Sequence, residues 1–225
     1  MKLDFTAIFL QWQMLMDGAL LTAQLAVIAT VSGFLIGTLC AVARRSHFAW
    51  CRRAAAVYIE AIRNTPFLVQ IFLVYFGLSS LGFSFTAFTV SVIALTINVS
   101  AYTAEIMRAG FESVHQGQWE AAETLGLSRW QQYWHVALRP AAERVYPSLT
   151  SQFILLMLAS SVTSQISAEE LTATANFIQS ETYRPFETFF IVAGIYLALS
   201  LLMRLAFWLI GLAVFPRRRR LGTPA

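Results

Sequence analysis

Residues Ala101–Gly126 read AYTAEIMRAGFESVHQGQWEAAETLG. The stretch begins in an apolar segment and runs into a polar loop that carries a short amphipathic helix. Trp119, Ala121, Ala122 and Leu125 give that helix apolar faces beside the charges of Glu120 and Glu123. Such a helix lies outside a bilayer, and a bare apolar face there costs solubility unless a partner covers it. Packing back onto its own bundle is the alternative.

The surrounding chain supplies the bundle. Of 225 residues, 57% are hydrophobic and 12% charged, whereas a soluble domain carries about 25% charged residues. This balance predicts a polytopic membrane protein, all-α because a helix satisfies its own backbone hydrogen bonds in lipid. One transmembrane domain is expected over residues 1–225, with a cytoplasmic loop at residues 111–145 inside it. Lys2 is the one lysine among 16 basic residues, and no glycine-rich run precedes it. A phosphate-binding loop needs such a lysine, so any ATP must bind to another chain.

Five segments reach the roughly 20 apolar residues of a span. They are about Leu20–Ala43, Phe67–Phe83 (extended, if at all, by Tyr58–Thr65), Phe88–Ala109, Tyr146–Ile166 and Phe189–Phe215. Arg44, Arg45, Arg52, Arg53 and Arg63 follow the first or precede the second. Arg108, Arg129, Arg139 and Arg144 lie between the third and fourth, and Arg217–Arg220 follow the fifth. Lys2 and Arg184 fall on the other side. The positive-inside rule then places the N-terminus outside and the C-terminus in the cytoplasm. Ala41-Val42-Ala43 resembles a signal-peptide cleavage site, but basic residues follow the apolar run instead of preceding it, so the segment reads as a retained span. The arginine tail reads as an anchor beside anionic lipid rather than a nucleic-acid patch.

Several polar residues fall inside these spans. Gln70 and Tyr75 lie in the second; Thr96, Asn98, Ser100, Tyr102, Thr103 and Glu105 in the third; Ser160, Ser161, Thr163 and Ser164 in the fourth. Polar groups at this depth pair with one another or line a hydrated path. Glu105 either contacts a cationic substrate group or pairs with Arg108 or Arg63. Gly33 and Gly37 form G-x-x-x-G, a close-approach motif within the chain or between chains. Asn64-Thr65-Pro66 breaks the helix that carries Glu60 and Arg63, so that helix lies along the inner interface and the chain then turns inward. Gly117 is expected just before the loop helix and Gly126 at its end, with Ser128 capping the next helix and Arg139-Pro140 closing the segment. Cys40, Cys51, His47, His115 and His135 lack metal-ligand spacing, and no catalytic constellation is visible.

Four blocks resemble the membrane (permease) subunits of ABC importers, in particular the polar amino-acid family of the histidine, arginine and glutamine type. They are Leu21–Arg45, RNTPFLVQIFLVYFGL (Arg63–Leu78), Ala101–Gly126 with its Glu120-Ala121-Ala122 and Gly126, and TYRPFETFFIVAGIYLALS (Thr182–Ser200). The resemblance implies the type I ABC importer permease fold, in a multi-pass protein of the bacterial cytoplasmic (inner) membrane. It implies that Glu120, Ala121, Ala122, Leu125 and Gly126 form a coupling helix that docks on a cytoplasmic ATPase. Two such ATPases, a second permease subunit (identical or related) and an external or periplasmic substrate-binding protein complete the assembly. ATP and Mg belong to the ATPases, no cofactor belongs to this chain, and the cargo is a polar amino acid. Gln70, Asn98, Tyr102, Glu105, Ser160 and Ser161 are candidates for the substrate pathway. Two departures stand out. Pro140 lies one place later than the family's Leu-Pro, and Leu158-Ala159 replace the family's Lys-Asp before Ser160-Ser161. Glu60, Glu105 and Glu169-Glu170 hint at a basic cargo, each with an ordinary alternative. The rival expectations are an ion-coupled carrier using Glu105 and a non-transporting membrane scaffold whose loop recruits a partner.

Overall fold

The computed structural model describes residues 4–215, so Lys2 and Arg217–Arg220, on which part of the orientation argument rests, lie outside the described residues. Among those described, every regular element is helical. They are α1 (Thr6–Phe9), α2 (Trp12–Ala43), α3 (Ala49–Arg63), α4 (Phe67–Ser80), α5 (Ala87–Glu112), α6 (Gln116–Thr124) and α7 (Arg129–Gln131). A π-helical segment, Gln132–Ala137, leads into α8 (Leu138–Ala159), which closes in a 3₁₀ segment, Ser160–Ile166. Then come α9 (Leu171–Thr182) and α10 (Pro185–Val214).

Four helical runs are long and apolar enough to cross a membrane: Trp12–Ala43, Ala87–Glu112, Arg129–Ile166 and Pro185–Val214. They contain the first, third, fourth and most of the fifth expected spans. The second differs. The 14 residues of α4 reach only about 21 Å at 1.5 Å per residue, short of a ~30 Å core. Residues Tyr58–Thr65 do not extend it along one axis, because α3 and α4 meet at 112°. Pro66 (φ −63°, ψ 138°) sets that corner, and the α region is closed to the residue before a proline. Counted as one broken span, the pair brings the total to five.

The contacts divide the chain into two compact units. One draws on residues up to Val31, on Thr65–Thr96 and on Phe153–Ala206. Its core holds Ile8, Leu15, Ala19, Leu171, Ala175, Ile178 and Val192 in one cluster and Ile71, Val90, Ala94 and Ile166 in another. Here Glu170 is fully buried. Its carboxylate accepts from the backbone N–H groups of Thr172 and Ala173, both at 2.9 Å, and from the Tyr196 hydroxyl at 2.8 Å. It is the N-cap of α9, which fills donors that the helix start leaves unpaired. The ordinary alternative to a cargo-binding Glu170 is therefore the one observed.

The other unit draws on Ser32–Asn64, on Ile97–Gln152 and on residues from Phe207 onward. The G-x-x-x-G motif packs within the chain: a Cβ on Gly37 would stand 2.6 Å from the Ser100 carbonyl oxygen, and one on Gly33 would strike Val99. The Tyr58 hydroxyl ties α3 to α5, lying 2.9 Å from the Ile97 carbonyl and 2.6 Å from Ser100 Oγ. Arg139-Pro140 do not close the loop, since helix continues past them and past Pro147 to Ala159. A proline ring meets the carbonyl four residues back, here Val136, and that residue lies in the wider π turn.

Candidate functional site

The loop helix α6 starts one residue before the expected Gly117. His115 is its N-cap, with Nδ1 accepting from the Gly117 N–H at 3.1 Å. It stops where the sequence says it should. Gly126 adopts φ +73°, the Leu127 N–H reaches the Ala122 carbonyl and the Gly126 N–H reaches that of Glu123, which together close a left-handed glycine cap. Ser128 and Gln131 then form a reciprocal capping box.

Of the five docking candidates, Glu120, Ala121, Leu125 and Gly126 are exposed, Leu125 by 79%. Ala122 is 2% exposed; it seats the helix instead of presenting a face, and its small side chain permits the close approach. Trp119 is half-buried. The Arg45 guanidinium lies 5.3 Å from its ring centroid, and Tyr133 meets it edge-on at 5.0 Å. Tyr133 in turn meets buried Phe111 at 5.3 Å. One side of α6 is thus held by packing and by a cation over an aromatic face. The other side borders a groove of about 560 Å³ whose lining includes Ala121, Leu125, His135, Arg139, Glu143 and Phe215.

Glu105 takes the ion-pair arrangement. Its carboxylate faces Arg44 at 2.5 Å, Arg108 at 3.0 Å and Arg63 at 3.8 Å. Arg63 also lies 5.7 Å from the Tyr102 ring, and Arg108 pairs with Glu112 at 2.6 Å. Three helices, α3, α5 and the end of α2, are joined at this carboxylate. Of the remaining pathway candidates, Gln70, Ser160 and Ser161 belong to the first unit and Asn98 and Tyr102 to the second. Gln70 is buried and donates to the Thr65 carbonyl and hydroxyl, both at 2.9 Å. Ser160 is buried and bonds back to the Met157 carbonyl at 2.6 Å. Asn98 is half-buried and has a partner of its own. Ser161 donates to the Leu158 carbonyl at 2.8 Å, and both residues line a groove of about 480 Å³ with Ala193, Tyr196, Leu197 and Ser200.

Residues 33–215 match the model of the family described as binding-protein-dependent transport system inner membrane component. The chain belongs to this family. It is similar to the octopine transport system permease protein OccM of Rhizobium radiobacter, at 36% identity over 91% of this chain and 87% of the relative. It is also similar to the glutamine transport system permease protein GlnP of Escherichia coli K12, at 35% identity over 90% and 94%. Among solved structures, an amino-acid ABC transporter crystallised with histidines aligns with a TM-score of 0.83 at 37% identity, over 94% of this chain and 99% of that one. The MetNI methionine transporter shares the fold, with a TM-score of 0.75 at 20% identity.

One feature of this permease escaped the sequence reading. Arg204 lies inside the span Pro185–Val214 and is exposed. At 1.5 Å per residue it sits about 15 Å from the helix end at Val214. A full charge at the centre of a spanning helix costs about 2.5–3.5 kcal/mol on insertion scales. The usable signal was there: one arginine in an otherwise apolar run.

Proposed function

We propose that the chain forms half of the translocation pathway of an ATP-driven importer of a polar amino acid in the bacterial cytoplasmic membrane. Two ATPase subunits carry ATP and Mg and dock through Glu120, Ala121, Leu125 and Gly126, with Ala122 seating the helix from behind. A second permease subunit, identical or related, forms the other half of the path, and an external or periplasmic binding protein delivers the cargo. ATP binding closes the ATPases; α6 moves with them; the attached bundle shifts as a body and opens outward, and hydrolysis resets it. The reading treats residues 1–225 as one permease domain with its coupling loop at 111–145, the N-terminus outside and the C-terminus inside.

The observation that carries this reading is a rigidly capped helix with an exposed leucine at its end and a groove beside it. Such a surface supports the docking of a partner. An ion-coupled carrier built on Glu105 needs a carboxylate free to exchange its ion, and here three guanidiniums hold it. Glu120→Arg and Gly126→Pro test the docking. Both variants should insert normally, lose copurifying ATPase and lose ATP-driven uptake. Intact insertion with unchanged transport refutes the docking.

A further inference from the structure

Arg204 and the small groove fall on one face of α10. Ala193, Leu197, Ser200 and Arg204 follow one another at four, three and four residues, the spacing that keeps side chains on one stripe of a helix. Ala193, Leu197 and Ser200 line the groove together with Leu158 and Ser161 of the facing segment. Long side chains on a helix lean toward its N-terminus and cover the turn before their own Cα. For Arg204 that turn is the one bearing Ser200, which lines the groove, so Arg204 stands one turn beyond the groove without itself being part of its lining.

Arg204 makes no ion pair and no hydrogen bond among the described residues, and neither does the Ser200 hydroxyl. A guanidinium stays charged at any working pH and offers a planar fork of donors that fits a carboxylate. Permanent charge at this depth is retained where it marks a substrate path or finds a counter-ion. About 480 Å³ is within the usual range of small-molecule sites, and the mixed lining of hydroxyls and apolar side chains suits a zwitterion with an aliphatic stem.

We propose that Arg204 is the residue that receives the α-carboxylate of the transported amino acid, with Ser200 beside it and the groove between Ser161 and Leu197 holding the remainder. The proposal rests on the importer reading above. It assigns the recognition of the constant part of an amino acid to α10, on a residue shared by no other candidate set.

The test uses the complete importer, with its ATPases, companion permease and binding protein, in proteoliposomes. Radiolabelled L-glutamine and L-arginine are the probes. Arg204→Gln should assemble normally and keep ATP hydrolysis stimulated by the binding protein, while half-saturation for uptake rises at least about tenfold, the size expected for one lost charge-assisted hydrogen bond. Arg204→Lys, which keeps the charge but not the fork, should recover most of the loss. Uptake by Arg204→Gln equal to the unaltered protein overturns the proposal, because the arginine then merely reaches the lipid headgroups. Dissociation of the permease pair in Arg204→Gln also overturns it, because the counter-ion is then a companion acid. Absence both of binding-protein-stimulated ATP hydrolysis and of ATP-driven uptake of any of a panel of polar amino acids by the unaltered importer refutes the importer reading itself, and this assignment with it.

Discussion

Replacing Gly37 with alanine isolates one interhelical contact. The added methyl carbon would lie 2.6 Å from the Ser100 carbonyl oxygen, 2.6 Å from Thr103 Cβ and 2.8 Å from Thr103 Cγ2. Ordinary contact begins near 3.4 Å, so α2 and α5 must separate by about 0.8 Å at this level. Two of the three obstacles belong to or adjoin the backbone and have no rotamer to escape into. Overpacking of this sort costs about 1–3 kcal/mol. Alanine returns up to about 1 kcal/mol of helix propensity, leaving a net loss of about 0–2 kcal/mol. Gly33→Ala is the internal control. Its obstacle is a methyl of Val99, and the nearest backbone atom is 3.5 Å away; displacing a buried β-branched side chain by roughly 30° costs about 0.5–1.5 kcal/mol, which the propensity gain offsets in part. Thermal stability of the detergent-purified protein, read as the monodisperse fraction after heating, should therefore fall in the order unaltered > Gly33→Ala > Gly37→Ala. For a domain of this size each kcal/mol is worth about 2–4 °C. A Gly37→Ala protein as stable as Gly33→Ala would refute the argument that the two helices touch through backbone at Gly37.

Two further outcomes follow from charge. Glu105→Gln leaves Arg44, Arg63 and Arg108 facing one another with Glu112 as the remaining acid, and the arginine side chains are 25–37% exposed. Water screens such a set in part, so the loss should be about 1–2 kcal/mol instead of the larger value for a fully buried pair, and the double change Glu105→Gln with Arg44→Gln should recover part of it in the same heating assay. Glu170→Ala removes the cap of α9 and takes one of two partners from the Tyr196 hydroxyl, which keeps Thr172 Oγ1 at 2.8 Å, costing about 1–3 kcal/mol. Burial raises the Glu170 carboxyl above the ordinary glutamate value of 4.5. Its protonated form is thus favoured by folding, and that contribution is full below pH 4.5 and fades as pH rises through the raised value. Glu170→Gln should remove this slope from a stability-versus-pH series; an unchanged slope refutes the assignment.

What was legible in the sequence was whatever is encoded locally. Apolar length gave four of the five spans, the proline after Asn64-Thr65 gave the corner between α3 and α4, and Gly126 and Ser128 gave the end of one helix and the start of the next. What was illegible depends on partners far along the chain. G-x-x-x-G announces a close approach but not that its mate is Ser100 and Thr103 of α5. Glu105 announces an ion pair but not that Arg44, 61 residues earlier, is among its partners. The inward turn of Ala122 is subtler still. It depends on where the helix begins, and that start is set by a histidine cap, which the glycine at 117 disguised. Pro140 misled for a related reason: the carbonyl its ring would meet belongs to Val136, which lies in a π-helical turn, and the helix runs on past it.

Two features resist any account confined to one chain, and they point the same way. Leu125 is left bare at the end of a helix whose other side is firmly seated. Arg204 is unpaired among the described residues, inside a helix whose length and composition suit hydrocarbon. Apolar surface exposed to water and charge exposed at membrane depth are opposite errors by the rules that shape an isolated protein. Each ceases to be an error if another molecule completes it: an ATPase surface at Leu125, a carboxylate at Arg204. The first need is met by a stable companion, and a stable companion leaves a site filled. The second is useful only if its occupant comes and goes. A path that moves an anionic group must bind it weakly enough to release it, which is why the counter-charge for Arg204 is better sought on the cargo than on the chain itself.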